Sequence, residues 1–268
     1  MEEERFGFGD NWAKFLEQLD DERIEEAEKS LKKWLNMDDL SGKTFLDVGS
    51  GSGLFSLAAK NLGAKVFSFD YDKQSVACTK FLKEKYYKDD DDWNVEWGDA
   101  LDAEYLSKYG KVDILYSWGV LHHTGDMYKA FANVDELVKD DGTLYIAIYN
   151  DQGRRSRKWA RIKKRYVNCP KCLRWTILIP NFVKLWFPTF IYDLLRGKPG
   201  KTWRDKKQQR GMSPWIDVVD WVGGYPFEVA KPEEVFDFFH QRGYQLTKLY
   251  TDGKGLGCNE FVFIKKSI

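Results

Sequence analysis

The sequence predicts an α/β fold built on a doubly wound, mostly parallel sheet. Strand-like apolar runs alternate with helix-like segments between residues 45 and 149, as in strands joined by crossover helices. The first run leads into a glycine-rich turn and a buried helix at residues 45–59, FLDVGSGSGLFSLAA. At 268 residues, the chain can form one such domain with a sizeable insertion, or two small domains.

Composition indicates a globular protein, with 43% hydrophobic and 31% charged residues. No apolar run follows the first residues, MEEERFGFGD, so we expect no signal peptide. The cysteines do not form a disulfide framework in a chain of this size. We therefore expect a reducing, cytoplasmic compartment. The four cysteines are Cys78, Cys169, Cys172 and Cys258.

Residues 1–43 are predicted to form a helical preface, with helices near residues 11–19 and 21–35. In the second helix, Ile24, Ala27, Leu31 and Trp34 recur at helical spacing, which indicates a face packed on the core. Three aromatic residues precede this helix, and they either close over a ligand or cover one end of the sheet. They are Phe6, Phe8 and Trp12.

The turn after the first strand has the pattern D-x-G-x-G-x-G, where a dinucleotide site would have G-x-G-x-x-G. Asp47 would repel a pyrophosphate but suits a ligand with an ammonium or sulfonium group, such as S-adenosylmethionine (SAM). Glycines let the backbone approach that ligand closely, although such a turn can also be plain packing. The predicted contacts in this turn are Asp47, Gly49, Ser50, Gly51 and Gly53.

This string closely resembles the first motif of class I SAM-dependent methyltransferases, which implies a Rossmann-like fold. The strand at residues 65–69 ends in Asp70, which is spaced from the glycines to accept hydrogen bonds from ribose hydroxyls. Asp72 is the less favoured alternative, and Tyr71 could cover the adenine. The resemblance also implies that Asp99, after the strand at 93–97, meets the adenine amino group, with Ala100 beside it.

The fourth strand, at residues 112–118, ends in Trp118, a further candidate cofactor contact, and runs into GVLHHTGD. This string resembles the fourth motif of small-molecule methyltransferases, in which a histidine faces the transferred methyl group. We expect His123, or else His122, to act as the base, while the other ring orders the loop. Tyr149 and Asn150, at the end of the fifth strand (residues 142–149), are expected to position the substrate.

Residues 151–230 form a predicted basic and aromatic-rich insertion, with six of the eleven tryptophans. Residues 151–210 carry about +15 of net charge, from eighteen Lys or Arg against three acids. The insertion is expected to be a cap over the active site or a helix on a membrane surface. Its apolar middle is broken by Pro180 and Pro188, so a membrane-spanning helix is not expected. We expect no metal site, and Cys169 and Cys172 have no second ligand pair nearby.

Residues 231–268 return to the catalytic domain, which comprises 44–150 and 231–268. The ending resembles the reversed terminal hairpin of class I methyltransferases, which implies a seven-stranded sheet with an antiparallel last strand. The resemblance does not cover the insertion, where the choice of substrate should lie.

The sequence therefore predicts a SAM-dependent methyltransferase, with S-adenosylhomocysteine as the product. The VLHH string most resembles enzymes of small molecules, including quinone-precursor and sugar O-methylating types. The basic segment favours an anionic acceptor, unless its charges only solvate the cap and pair with the acidic domain. Three alternatives stay open: an RNA methyltransferase, a membrane-surface enzyme of a lipid-linked acceptor, and a non-catalytic SAM-binding interaction protein. The sequence does not indicate an oligomeric state.

Overall fold

The computed structural model describes residues 6–17, 19–204, 214–253 and 255–267. The start of the predicted preface and nine residues of the insertion, 205–213, lie outside the described residues. Lys206, Lys207 and Arg210, which contribute to the predicted positive charge of the insertion, are among these residues.

The described residues form strands and helices that alternate through the first half of the chain. The strands are β1 (Thr44–Val48), β2 (Lys65–Asp70), β3 (Trp93–Trp97), β4 (Val112–Trp118), β5 (Val138–Tyr149), β6 (Tyr244–Tyr250) and β7 (Cys258–Lys265). The helices are α1 (Gly9–Leu16), α2 (Asp21–Leu35), α3 (Leu54–Asn61), α4 (Lys73–Tyr86), α5 (Ala103–Ser107), α6 (Met127–Glu136), α7 (Arg154–Val167), α8 (Trp175–Leu195), α9 (Pro214–Gly223) and α10 (Pro232–His240).

The seven strands make one sheet in the order β3-β2-β1-β4-β5-β7-β6. The pairs from β3 to β5 are parallel, whereas β7 is antiparallel to both β5 and β6. This confirms the predicted doubly wound sheet with an antiparallel last strand. The chain winds from β1 towards β3 and then returns to β4, so the strand order reverses between β1 and β4. In open α/β sheets, ligands bind beyond the carboxyl ends of the strands at this point.

Two apolar layers hold helices on the two faces of the sheet, because side chains alternate between faces along each strand. In β1, Phe45 belongs to the layer under α2, α3 and α4, and Leu46 to the layer under α6 and α10. The predicted apolar face of α2 is buried at Ile24, Ala27 and Leu31. The helices therefore fix the sheet from both sides and leave the carboxyl edge open.

Three elements differ from the expectations. The short helix α5 was not predicted, and β5 begins at Val138 instead of residue 142. The apolar middle of the insertion was expected to be broken at Pro180 and Pro188, which is wrong, since α8 continues through both prolines. A proline lacks only one helical hydrogen-bond donor, and both prolines are exposed, so water can hydrate the carbonyls that they leave unpaired.

The insertion has an apolar cluster of its own, formed by α7, α8, α9 and Phe227. Its two ends meet, because the Asp151 amide donates to the Ala230 carbonyl at 3.1 Å and the Ala230 amide donates to Tyr149 at 3.0 Å. Tyr149 and Phe6 pack against this cluster from the sheet and the N-terminal segment. The insertion is thus anchored at the carboxyl end of β5, beside the switch in strand order.

Candidate active site

A cavity of about 820 Å³ lies at the carboxyl edge of the sheet. Its volume falls in the upper part of the range for small-molecule sites, about 300–1,000 Å³. The sheet side and the insertion both contribute walls, and so does the N-terminal segment. The predicted site residues that line it are Asp47, Gly49, Ser50, Gly51, Asp70, Tyr71, Asp99, Ala100, Trp118, His123 and Tyr149.

The glycine-rich turn needs its glycines for two different reasons. Gly49, Gly51 and Gly53 all have positive φ, between 54° and 82°, where a side chain is strained. In addition, a Cβ on Gly53 would lie 2.8 Å from the Cα of Thr79, so the start of α3 could not approach α4 as closely. Gly53 is not among the residues that line the cavity. Gly53 therefore allows α3 and α4 to pack closely beneath the turn.

Asp70 ties this turn to the end of β2. One carboxylate oxygen accepts from the Gly51 amide at 2.9 Å, and the other accepts from the Asp72 amide at 2.8 Å. Burial raises the pKa of Asp70 to about 6 despite these hydrogen bonds. Asp72 also lines the cavity, and its two oxygens accept from the amides of Gly9, in the N-terminal helix, and of Gln74, in α4.

Asp47 lies deeper, at the end of β1, and is almost fully buried. Burial raises the pKa of its carboxyl group to about 7, with a smaller contribution from the nearby charge of Asp70, while a hydrogen bond from Ser56 opposes the shift. A positive charge near Asp47 would favour its ionised form and so oppose this rise in pKa.

Tyr116, on β4, is a cavity residue that the sequence analysis missed. Its buried hydroxyl has no hydrogen-bond partner among the described residues, and burial raises its pKa well above the ordinary value. A buried polar atom of this kind costs free energy unless a ligand or water satisfies it. Only the burial pattern of β4 could have pointed to it, since nothing in the sequence distinguishes this tyrosine from a core residue.

The N-terminal aromatic residues border the cavity, as the first of the two arrangements considered for them requires. Phe6, Phe8, Trp12 and Phe15 all line the cavity. A Cβ on Gly51 would lie 3.1 Å from the Trp12 ring, so this indole packs directly on the turn. Phe8 in turn contacts His123, with 5.2 Å between ring centroids.

The loop after β4 is held by the last residues of the insertion. The Pro226 carbonyl can only accept, so the His123 Nδ1 donates to it at 2.5 Å and Nε2 keeps its lone pair. The Glu228 amide donates to the His122 carbonyl at 2.9 Å, and the Glu228 carboxylate accepts from the Gly125 amide at 3.1 Å. The position of His123 therefore depends on a segment about a hundred residues later in the chain.

Both histidines are held neutral. Burial, followed by the nearby charge of Lys163, lowers the pKa of His123 to about 3. Burial, followed by the nearby charges of His123 and Lys163, lowers the pKa of His122 well below its ordinary value, and this residue does not line the cavity. The His122 Nδ1 accepts from the Tyr149 amide at 3.3 Å, and Nε2 is buried with no partner among the described residues.

Tyr149 and Asn150 are adjacent in the chain, but their side chains lie in different surroundings. The Tyr149 ring lines the cavity and packs within 4.0–5.6 Å of the rings of His122, His123 and Trp221. Asn150 is buried outside the cavity lining and donates to the Gly253 carbonyl at 2.9 Å. The structure thus brings Tyr149 to the site and uses Asn150 to hold the loop before β7.

Asp220, on α9, is the second cavity residue that the sequence analysis missed. Burial raises the pKa of its carboxyl group to about 7, while a hydrogen bond from the Asn11 side chain opposes the shift. Close by, the buried Lys163 ammonium donates to the Trp221 carbonyl and lies 4.2 Å from that ring's centroid. Asp220 follows the insertion's basic part by many residues, so no motif connected it with the site.

Arg155, in the first turn of α7, is a basic residue of the insertion that lines the cavity. Its neighbours Arg154, Arg157 and Lys158 are exposed and are not among the lining residues. Of these four basic residues, Arg155 is therefore the one that borders the cavity, and it is also exposed to solvent.

Two further observations concern metals and membranes. Within the described ranges, no group of three or more His, Cys, Asp or Glu side chains is arranged to hold a metal ion, and all four cysteines are free. No helix in the described part of the chain combines the length and the apolarity that crossing a bilayer requires.

Two curated relatives are similar to this chain over short stretches, and both are named ribosomal protein L11 methyltransferase. The protein of Thermotoga maritima is 43% identical over 72 residues, which is 26% of this chain and 25% of the relative. That of Vibrio parahaemolyticus is 49% identical over 49 residues, or 18% and 17%. The chain thus spans a quarter or less of the length of these relatives.

Two solved structures share the fold over nearly the whole chain. Magnesium protoporphyrin IX methyltransferase of Synechocystis, with bound S-adenosylhomocysteine, has a TM-score of 0.56 and 14% identity, covering 96% of this chain and 94% of that one. A SAM-dependent methyltransferase of Aquifex aeolicus has a TM-score of 0.51 and 15% identity, covering 95% and 98%. At such identities the likeness establishes the common fold.

A family model described as "Methyltransferase domain" matches residues 39–207. The match includes β1, the glycine-rich turn, Asp70, the histidine loop and β5, which together line the sheet side of the cavity. Because the model covers more than half of the chain, this protein belongs to the methyltransferase-domain family, within the class I methyltransferases whose cofactor is S-adenosyl-L-methionine.

Proposed function

We propose that this protein transfers the methyl group of SAM to a hydroxyl group of a small, anionic acceptor, such as an acidic sugar, a glycan or a related metabolite. One observation carries the proposal: a single cavity connects the glycine-rich turn with a wall of the insertion that contains Asp220, Trp221 and Arg155. The first part suits the cofactor. The second part offers a carboxyl group, an aromatic surface and a positive charge to an acceptor.

The residues around the turn fit SAM. Gly49 and Gly51 line the cavity in a turn with positive φ that glycine adopts without strain, and buried Asp47 offers a carboxylate to the positive charge of the cofactor. Asp70 keeps lone pairs on both oxygens for the ribose hydroxyls. At the next strand ends, Tyr71, Asp99, Ala100 and Trp118 border the space for adenine.

The assignment of Asp70 predicts a specific loss of cofactor affinity. Asp70→Asn should weaken the binding of SAM and of S-adenosylhomocysteine about tenfold or more, because a hydrogen bond to a charged group contributes about 1.5–3 kcal/mol. Isothermal titration calorimetry measures both affinities. The matched control is Asp72→Asn, whose carboxylate caps α4 and holds Gly9. If the two variants lose cofactor affinity equally, Asp70 does not hold the ribose.

The chemistry of the bound cofactor is a methyl group already activated on a sulfonium sulfur. Transfer forms a bond between the acceptor oxygen and this methyl carbon and breaks the carbon–sulfur bond, while the acceptor hydroxyl loses its proton. The protein's tasks are therefore to align the acceptor, to exclude water and to take the proton. Phe8 and Trp12 on one side, and Trp221 on the other, give the cavity aromatic walls.

Asp220 is the better base for this proton at neutral pH. A base works best when its pKa lies near the operating pH, and the pKa of Asp220 is about 7, whereas that of His123 is about 3. His123 was the first candidate on sequence grounds and remains beside the cavity. Its Nε2 lone pair suits it to orient the acceptor hydroxyl by accepting a hydrogen bond.

This division of roles predicts the pH dependence of the rate. The reactive form has Asp220 ionised, so kcat/KM should rise about tenfold per pH unit below pH 7 and level off above it. Asp220→Asn should lower kcat about a hundredfold at pH 8, remove this rise and leave SAM affinity near normal. Steady-state kinetics between pH 5.5 and 9 measure these effects.

Two comparisons make the pH test decisive. Asp217→Asn changes another cavity-lining carboxyl group of α9 and should keep the rise of kcat/KM with pH, moved to lower pH, because the Asp217 charge contributes to the raised pKa of Asp220. If His123→Gln abolishes transfer while Asp220→Asn remains active with an unchanged profile, His123 is the base and our assignment of Asp220 is wrong.

Arg155 is proposed to hold the anionic group of the acceptor. Arg155→Gln should raise KM about tenfold with little change in kcat, because a charge-assisted contact is lost in both ground and transition states. For the unaltered protein, kcat/KM should fall between about 25 and 150 mM salt, since salt screens the attraction. Arg157→Gln, an exposed neighbour outside the cavity lining, is the control. A flat salt profile together with an unchanged Arg155→Gln would refute an anionic acceptor.

The acceptor class can be found by transferring labelled methyl groups from SAM into a cell extract. The extract is then separated into small molecules, lipid, RNA and protein, with the Asp220→Asn protein as the inactive control. We expect the label in the anionic small-molecule fraction. Label in RNA or protein would replace the proposed acceptor, and retained SAM affinity without transfer to any fraction would indicate a non-catalytic SAM-binding protein.

A further inference from the structure

Helix α8 is apolar on two sides, and only one of them is packed. Its inner side contributes Leu178 and Phe182 to the apolar cluster of the insertion, and Leu185, Trp186 and Thr189 to the cavity wall. This side explains why the helix is held against the rest of the protein. It does not explain the residues on the opposite side.

The opposite side carries a stripe of large apolar residues that are exposed to solvent. Successive members are separated by three or four positions, which places them along one side of the helix over about 30 Å. Each is between 46% and 59% exposed. We call this set the outer stripe: Trp175, Ile179, Val183, Phe187, Phe190 and Leu194.

Such a stripe is unusual on a surface that meets only water, because contiguous exposed apolar patches generally mark an interaction site. Pro180 and Pro188 also lie on exposed positions of this helix and add to its apolar character. Among the exposed residues from Trp175 to Leu195, the charged one is Lys184. The outer stripe therefore needs an apolar partner.

The charges around the outer stripe are positive. Lys171 precedes α8, Lys184 lies within it, and Arg196 and Lys198 follow it, all of them exposed. The acid of this helix, Asp193, is buried and accepts from the amide and hydroxyl of Thr202 at 2.8 and 2.7 Å. The partner thus meets an apolar stripe with basic residues at both ends and no exposed acid on the helix.

We propose that the outer stripe docks on an anionic lipid bilayer, with α8 lying in the plane of the interface. Apolar side chains then enter the boundary between headgroups and acyl chains, and the lysine and arginine side chains contact anionic headgroups. A second copy of this chain fits less well, since two-fold pairing of the stripe would bring basic ends together. A nucleic acid fits less well, since half of the stripe is aliphatic, at Ile179, Val183 and Leu194, and these side chains cannot stack on bases as aromatic rings do.

Docking in this orientation has a consequence for the cavity. The inner side of α8 forms part of the cavity wall through Leu185, Trp186 and Thr189. The wall would then lie about one helix diameter, roughly 10 Å, from the lipid. The bilayer would contact the insertion and would leave the glycine-rich turn in place.

Vesicle co-sedimentation of the full chain tests this proposal. The probes are vesicles of phosphatidylcholine alone and vesicles with about 30% phosphatidylglycerol, at low and physiological salt. We expect partitioning into the anionic vesicles and much less into the neutral ones. Val183→Glu combined with Phe187→Glu should lower partitioning at least tenfold, because two large apolar side chains are then replaced by charged ones that anionic headgroups repel.

The matched control is Phe81→Glu, which places the same substitution on an equally exposed phenylalanine of α4, 54% exposed against 58% for Phe187. This variant should partition like the unaltered protein. SAM affinity and the circular dichroism spectrum verify that each variant is folded. Both readouts need no acceptor, so failure of vesicle binding is separate from failure of the proposed methyl transfer.

Three results would overturn the proposal. The first is no partitioning into anionic vesicles at low salt, and the second is unchanged partitioning of the double variant. The third is concentration-dependent self-association that the double variant abolishes without any vesicle binding. That last result would assign the outer stripe to a second copy of the chain.

Discussion

The site depends on the contact between the Gly51 amide and the Asp70 carboxylate, 2.9 Å apart. This hydrogen bond joins the turn after β1 to the end of β2, at the edge where the strand order reverses. Burial raises the pKa of the Asp70 carboxyl group, because the ionised form loses hydration. The hydrogen bond that stabilises the turn is therefore opposed by the desolvation of Asp70. A ligand that offers hydroxyl donors and positive charge relieves this cost, which explains why the turn is built for binding.

The second constraint comes from the insertion, whose first and last residues both lie at the carboxyl end of β5, beside the site. Its ends meet at Asp151 and Ala230, and its last residues hold the loop after β4 through Pro226 and Glu228. This arrangement buries Lys163 near the histidine pair, and both the burial and the positive charge keep the histidines neutral. Burial instead raises the pKa of the Asp220 carboxyl group to about 7, which is the reason for proposing Asp220 as the base at neutral pH.

Helix α8 connects the site with the surface. One side closes the cavity and the other carries the outer stripe, so a single 21-residue element serves both the acceptor side of the cavity and the proposed lipid interface. Its two prolines are tolerated because they face outward, where water can satisfy the carbonyls left without a helical donor. The basic charge of the segment likewise divides between Arg155 at the cavity and the lysine and arginine residues around α8.

The sequence by itself determined the sheet and the cofactor side of the site. Local apolar runs predicted the strands from β1 to β5, and the spacing from the glycines pointed to Asp70 at the carboxyl edge. The resemblance to class I methyltransferases added Asp99 and the terminal hairpin. Only the tertiary structure decided the acceptor side. Asp220 and Tyr116 become site residues through burial beside the cavity, and His122 and Asn150 are turned away by packing and by the loop before β7. Burial and long-range contacts set these pKa values and orientations, and neither leaves a periodic or motif-like trace in the chain.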